Sequence, residues 1–129
     1  MTALAPHLTE YLRERLPRQK GASEHTCEAY AYAFQLLLTF ASARCKVSPS
    51  QLLLEQLDAP LVLAFLEHLE AKRGNSASTR NARLAAIRSF MHFVEYRVPS
   101  AIEQVRRVLS IPAKRTTLPI VPKGGNKKP

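Results

Sequence analysis

The stretch Ser76-Ala-Ser-Thr-Arg-Asn-Ala-Arg-Leu-Ala-Ala-Ile-Arg-Ser-Phe-Met-His-Phe-Val94 decides the fold class. Leu84, Ile87, Met91 and Val94 recur at helical spacing, so the segment reads as an amphipathic helix with one face turned to a core. Ser76 and Ser78 are both suited to cap its start. Arg80 and Arg83 follow on one side, three residues apart. Arg80 falls almost in line with Leu84, Ile87 and Met91, where an apolar residue is expected, so its charge must emerge at the bundle edge or snorkel. Basic residues in the first turns also oppose the helix macrodipole. Local conflicts of this kind concentrate at functional sites. A phosphate placed here meets backbone N–H groups, hydroxyls and two guanidinium groups at once. The plain alternative is a pair of solvated surface arginines.

Outward from this helix the pattern stays helical. Leu8, Tyr11, Leu12 and Leu16 mark a first helix that Pro17 is expected to close. Ser23 caps a second, in which Tyr30, Phe34, Leu37, Leu38 and Ala41 form one stripe. Lys46–Ser50 punctuates, with a short helical turn over Pro49–Leu54. Asp58 caps a third helix with Pro60 in its first turn, Val62, Phe65, Leu66 and Leu69 inward, and Gly74 as its stop. Pro99 ends the fourth, and Ser100 starts a fifth with Ile102, Val105 and Leu109 facing in. No β-alternation persists beyond a few residues. The expected fold is all-α, a compact bundle of four to five helices over residues 1–111, with a flexible basic linker and tail over 112–129.

The chain has 129 residues, the size of one domain, with 46% hydrophobic and 22% charged residues. Its formal charge of +9 is unevenly spread. Residues 1–103 hold twelve basic against ten acidic side chains, whereas residues 104–129 hold seven basic and none acidic. A near-neutral body with a basic end points to a polyanion, nucleic acid first; the alternative is a solubilising tail. No apolar run reaches bilayer length and no signal-peptide pattern opens the chain, so no membrane partner is expected. Cys27 and Cys45 read as isolated thiols in small apolar positions and imply a reducing, cytoplasmic setting.

Catalytic chemistry finds no residues. His7, His25, His68 and His92 form no metal-ligand pair, no glycine-rich phosphate loop or nucleophile elbow occurs, and Glu67, His68 and Glu70 read as a solvated helix face. The expectation is no catalytic residue, no metal and no cofactor. Ser23, His25 and Thr26 open the second helix much as Ser78 and Thr79 open the fourth, and two hydroxyl-rich helix starts suit a DNA-facing edge; for Ser23 capping alone, and for His25 simple exposure, are the competing roles. Tyr30 belongs to the core stripe.

The run Ser23-x-x-Thr26-x-x-x-Tyr30, then Phe65-Leu66-x-x-Leu69, then Thr79-Arg80-Asn81-x-Arg83-Leu84-Ala85-Ala86-Ile87-Arg88-Ser89-Phe90, resembles the N-terminal core-binding, SAM-like domain of the tyrosine recombinase (phage integrase) family. Ile111-Pro112-Ala113-Lys114-Arg115 is similar to the linker toward the family's catalytic domain. The resemblance implies one half of a clamp around double-stranded DNA, with the second and fourth helices presenting their starts to the major groove and flanking phosphates. By position it implicates Ser23, His25, Thr26, Ser78, Thr79, Arg80 and Arg83, with Lys114 and Arg115 near the duplex on the linker. It further implies, as partners, the recombinase's own catalytic domain and neighbouring protomers on a recombination site, and a nucleoid-associated, cytoplasmic location. The family's chemistry needs a His-x-x-Arg box and a tyrosine nucleophile in a second domain; no His-x-x-Arg occurs here, so this chain is expected to bind without cutting. The rival from another class is a helical protein-interaction module with a solubilising basic tail. A helix-turn-helix regulator fits poorly, because the Gly74–Ser78 junction is not its tight turn, and a catalytic fragment fits worst.

Overall fold

The structure is a computed structural model and describes residues 1–115; residues 116–129, where most of the expected basic tail falls, lie outside the described residues. The described residues form α1 (Leu4–Glu10), a π-helical continuation (Tyr11–Gln19), α2 (Glu24–Cys45), α3 (Ala59–Ala71), α4 (Ala77–Arg97) and α5 (Ile102–Leu109), with short 3-10 turns between. No β-strand is present among them; one antiparallel bridge joins Ala3 to Leu53. The described residues are therefore all-helical, with five α-helices, within the four to five that the periodicity predicts.

Side-chain caps set the starts of the three long helices. Ser23 Oγ accepts the Thr26 N–H at 3.1 Å, Asp58 Oδ1 the Leu61 N–H at 3.0 Å, and Ser76 Oγ the Thr79 N–H at 3.2 Å. Of the two serines suited to cap α4, Ser76 does so, because an N-cap oxygen must reach a backbone N–H two or three residues on. Lys46 ends α2 in the left-handed region at φ 60°, and Gly74, at φ 67°, turns the chain out of α3.

Pro17 does not close the first helix. The helical path runs on to Gln19 with a widened hydrogen-bond register, in which the Lys20 N–H bonds the Arg15 carbonyl at 2.9 Å. Proline lacks only its own N–H, and a widened turn leaves its ring room that a regular α-turn denies it. The turn comes later, at Gly21 with φ 65°.

At the centre of the core stands Tyr11, fully buried, its ring 5.4 Å from Phe90 and 6.2 Å from Phe34, both edge-on. Its hydroxyl bonds Ser89 Oγ on α4, which satisfies a polar group that burial would otherwise leave stranded. Burial pushes the Tyr11 phenol above its ordinary pKa, with the Ser89 bond opposing in part. Leu37, Val62, Phe65, Leu69, Leu84, Ile87, Met91 and Val94 complete the interior. In α5 the buried positions are Val105 and Val108, with Ile111 beyond, while Ile102 and Leu109 are half-buried. The stripe lies beside the one expected because Gln104 donates to the Leu54 and Leu57 carbonyls at 2.7 and 2.9 Å, which sets the roll of α5. Cys27 and Cys45 are half-buried free thiols at the core margin, less enclosed than expected.

Phe90→Ala is expected to cost about 3–5 kcal/mol in urea unfolding, since it empties the space shared by Tyr11 and Phe34. Near the N-terminus, Glu55 accepts the Thr2 N–H, mainly for which its carboxyl sits below the ordinary carboxylate pKa. The depressed value means that this contact is complete above the ordinary carboxyl range, about pH 4.3, and is lost as pH falls through the lower native value. The Glu55 carboxyl titration followed by NMR tests this, with a Glu55→Gln control.

Candidate nucleic-acid interface

The first turns of α2 and α4 are built alike. In each, a serine cap accepts the backbone N–H of the threonine three residues on, and its hydroxyl donates to that threonine's Oγ1: Ser23 to Thr26 at 3.0 Å and Ser76 to Thr79 at 3.2 Å. Those bonds use an acceptor lone pair of Thr26 and Thr79 and leave each threonine's own O–H available to donate. Ser23, His25 and Ser78 are exposed, and Thr26 and Thr79 are half-buried.

The two helices touch through Tyr32, in the third turn of α2, and Arg83, in the second turn of α4. Tyr32 of α2, 43% exposed, carries the Arg83 guanidinium over its ring face, 5.1 Å from the centroid. Arg73, just past α3, donates to the Tyr32 hydroxyl at 3.4 Å. Two guanidinium groups, one from α4 and one from the turn after α3, thus converge on one tyrosine, and neither has a carboxylate partner among the described residues. Arg83 Nε is buried without a hydrogen-bond partner. The stacked ring holds the planar cation in place.

Arg80 is turned the other way. It is 6% exposed, the buried charged residue of the described structure, and its Nε lies 3.9 Å from Glu70 Oε1. Its Nη1 donates to the Pro112 carbonyl and to Asn81 Oδ1, each at 3.1 Å. The choice between emerging at the edge and snorkelling is resolved by neither: the charge stays inside because a carboxylate and a carbonyl meet it there. Glu70 is accordingly not part of a solvated face. It is half-buried and also receives Lys114 Nζ at 2.9 and 3.1 Å.

Lys114 is held by its backbone as well. Asn81 accepts the Lys114 N–H at 2.9 Å and donates to the Lys114 carbonyl at 2.7 Å. Further along α4, Arg88 donates to the carbonyls of Leu109 and Ile111 at 2.7 and 3.2 Å. Arg115 is exposed, without a partner among the described residues. Of the nine candidate contact residues, Ser23, His25, Thr26, Ser78, Thr79 and Arg83 lie in the early turns of α2 and α4, and Arg80 and Lys114 are engaged within the protein. Tyr32 and Arg73 join this edge without a sequence signal. Tyr32 sits two residues from Tyr30, which the stripe places in the core and the structure leaves half-buried at its margin, and Arg73 reads as an ordinary basic residue near a helix C-terminus.

Among the described residues no group of His, Cys, Asp and Glu is arranged to hold a metal, and no helix is long and apolar enough to cross a membrane. Arg80→Ala should destabilise the protein by about 2–4 kcal/mol in chemical unfolding, because it empties a buried position, removes the donor to the Pro112 carbonyl and leaves Glu70 with Lys114 alone. Exposed Arg13→Ala should change it by less than about 0.5 kcal/mol.

Comparison with known proteins agrees with this architecture. Residues 8–97 match the family described as phage integrase, N-terminal SAM-like domain. A protein named as integrase/recombinase y4rD of Sinorhizobium fredii (strain NBRC 101917 / NGR234) is 47% identical over 117 residues, covering 91% of this chain and 42% of the relative. A second from the same organism, named as integrase/recombinase y4rC, is 44% identical over 119 residues, 92% of this chain and 36% of the relative. The chain thus spans well under half the length of these relatives. No solved structure matches. With most of its helical body inside the matched segment, the chain belongs to the phage integrase N-terminal SAM-like domain family.

Proposed function

We propose that this chain binds double-stranded DNA through the edge made by the early turns of α2 and α4, as the non-catalytic, core-binding part of a tyrosine recombinase acting in DNA integration and recombination. The observation that carries the reading is the convergence of Arg73 and Arg83 on Tyr32, two cations without acid partners among the described residues, on the helices whose hydroxyl-rich starts carry the other candidate contacts. Helix N-termini offer N–H groups to phosphate, and the Thr26 and Thr79 hydroxyls add neutral donors. Stacking on Tyr32 preorders the Arg83 guanidinium, so less side-chain entropy is lost when it meets a base edge or a phosphate.

The direct contacts in this reading are Ser23, His25, Thr26, Ser78, Thr79 and Arg83, joined by Arg73 and Tyr32, with Arg115 following on the outgoing chain. Arg80 acts from behind the edge by holding the chain against α4. Lys114, paired with Glu70, contributes to the local field rather than as a free cation. The names of the relatives, the basic balance of the chain and the family membership all support a DNA partner. The catalytic domain of a longer recombinase and neighbouring protomers on the recombination site complete the proposed assembly.

Fluorescence anisotropy with a labelled duplex of about 30 base pairs, titrated across salt concentrations, tests the reading. Binding should fall steeply with salt. Arg83→Ala and Arg73→Ala should each lower the salt slope by about one where they touch phosphate, or cost about 1–3 kcal/mol with relaxed sequence preference where they read a base. Arg107→Ala, whose cation pairs with Glu103 on α5, should leave binding nearly unchanged. Full affinity and an unchanged salt slope in the Arg73→Ala, Arg83→Ala double variant would sink the assignment.

A further inference from the structure

Residues 109–114 run along α4, outside the segment that matches the family, and are gripped at four points. Arg88 holds the Leu109 and Ile111 carbonyls, Arg80 the Pro112 carbonyl, Asn81 both backbone groups of Lys114, and Glu70 the Lys114 ammonium. Ile111 is buried between these polar grips. A surface connection normally leaves its backbone groups to water. Here side chains of α3 and α4 take the place of a neighbouring strand, and most of them meet main-chain atoms.

From this we infer that Asn81 is a positioning residue for the outgoing chain. With Arg80, Arg88 and Glu70, it makes α4 a template on which residues 109–114 are laid, so that the chain leaves the helical body at Arg115 beside the first turns of α4 and in a set direction. A side-chain amide that both donates to and accepts from one residue's backbone fixes that residue's orientation as well as its position, which a lone ion pair does not. Lys114–Glu70 adds a grip that salt weakens, whereas the amide pairing is insensitive to salt. The path of the chain up to Lys114 is thereby set relative to α4. The inference concerns the protein's own chain and stands independently of what the edge binds.

The test uses the full chain with Cys27→Ser and Cys45→Ser, carrying nitroxide labels at Arg115→Cys and at Tyr96→Cys. Tyr96 is exposed and lies fifteen residues beyond Asn81 on α4, about 22 Å along the helix axis. Pulsed dipolar spectroscopy should give a narrow distance distribution in this parent protein. Asn81→Ala should broaden it severalfold, and so should Asn81→Asp, which keeps an acceptor but turns a second oxygen toward the Lys114 carbonyl. Helical circular dichroism should stay unchanged. In parallel, Lys114 amide exchange in the wild-type chain should be slowed at least about tenfold relative to an unstructured chain and should lose that protection in both variants. Glu70→Gln, which leaves the Asn81 pairing intact, should leave the protection largely in place at low and high salt alike. A broad distribution in the parent protein, or one that neither Asn81 variant alters, overturns the inference.

Discussion

A guanidinium group buried at the start of α4 constrains much of the rest. Charge removed from water is costly unless it is paired and hydrogen-bonded; Arg80 has Glu70 3.9 Å from its Nε and donates through Nη1 to the Pro112 carbonyl and Asn81, while Nε itself has no hydrogen-bond partner. Glu70 comes from the last turn of α3, so the end of α3 must pack against the start of α4. The Pro112 carbonyl comes from beyond α5, so the chain must return along α4 after that helix ends. One buried cation thereby ties three separate stretches together.

The fourth helix consequently has three working sides. Leu84, Ile87, Phe90, Met91 and Val94 enter the aromatic core around Tyr11. Arg80, Asn81 and Arg88 hold the returning chain. Arg83 leans on the partly exposed ring of Tyr32 on α2. A helix used on so many sides has a weak contrast between faces. Its sequence therefore shows a local conflict at Arg80 where a simple amphipathic helix would show none. The conflict marks a site, but the partner that answers it in the described structure is internal.

Much of the framework was legible in the residues. The caps at Ser23 and Asp58, the serine start of α4 (though not which of Ser76 and Ser78 caps it), the stripe Leu84–Ile87–Met91–Val94 and the inward set Val62–Phe65–Leu66–Leu69 all follow from spacing and hydrogen-bonding capacity within a few residues. Pro17 misleads because a widened helical turn accommodates what a regular one cannot. The fifth helix is displaced because Gln104, reaching carbonyls some fifty positions earlier, sets its roll. At the candidate interface the hydroxyl-rich starts and Arg83 were readable, while Tyr32 and Arg73 were not. Their importance comes from convergence on one ring, and no pattern along the chain encodes convergence.

By itself the sequence determined what is local: which segments are helical, where they begin, which faces seek a core, and the resemblance of the Thr79–Phe90 block to a known family. Tertiary structure alone decided which charges are available. Arg80, Arg83 and Arg88 have the same chemistry and lie within nine residues of one another. Yet one is sealed against Glu70, one is stacked on Tyr32 beside the exposed edge, and one is bound to the end of α5. The physical reason is that a charge's role depends on its partner and on the water around it. Both are set by packing between elements that lie tens of residues apart.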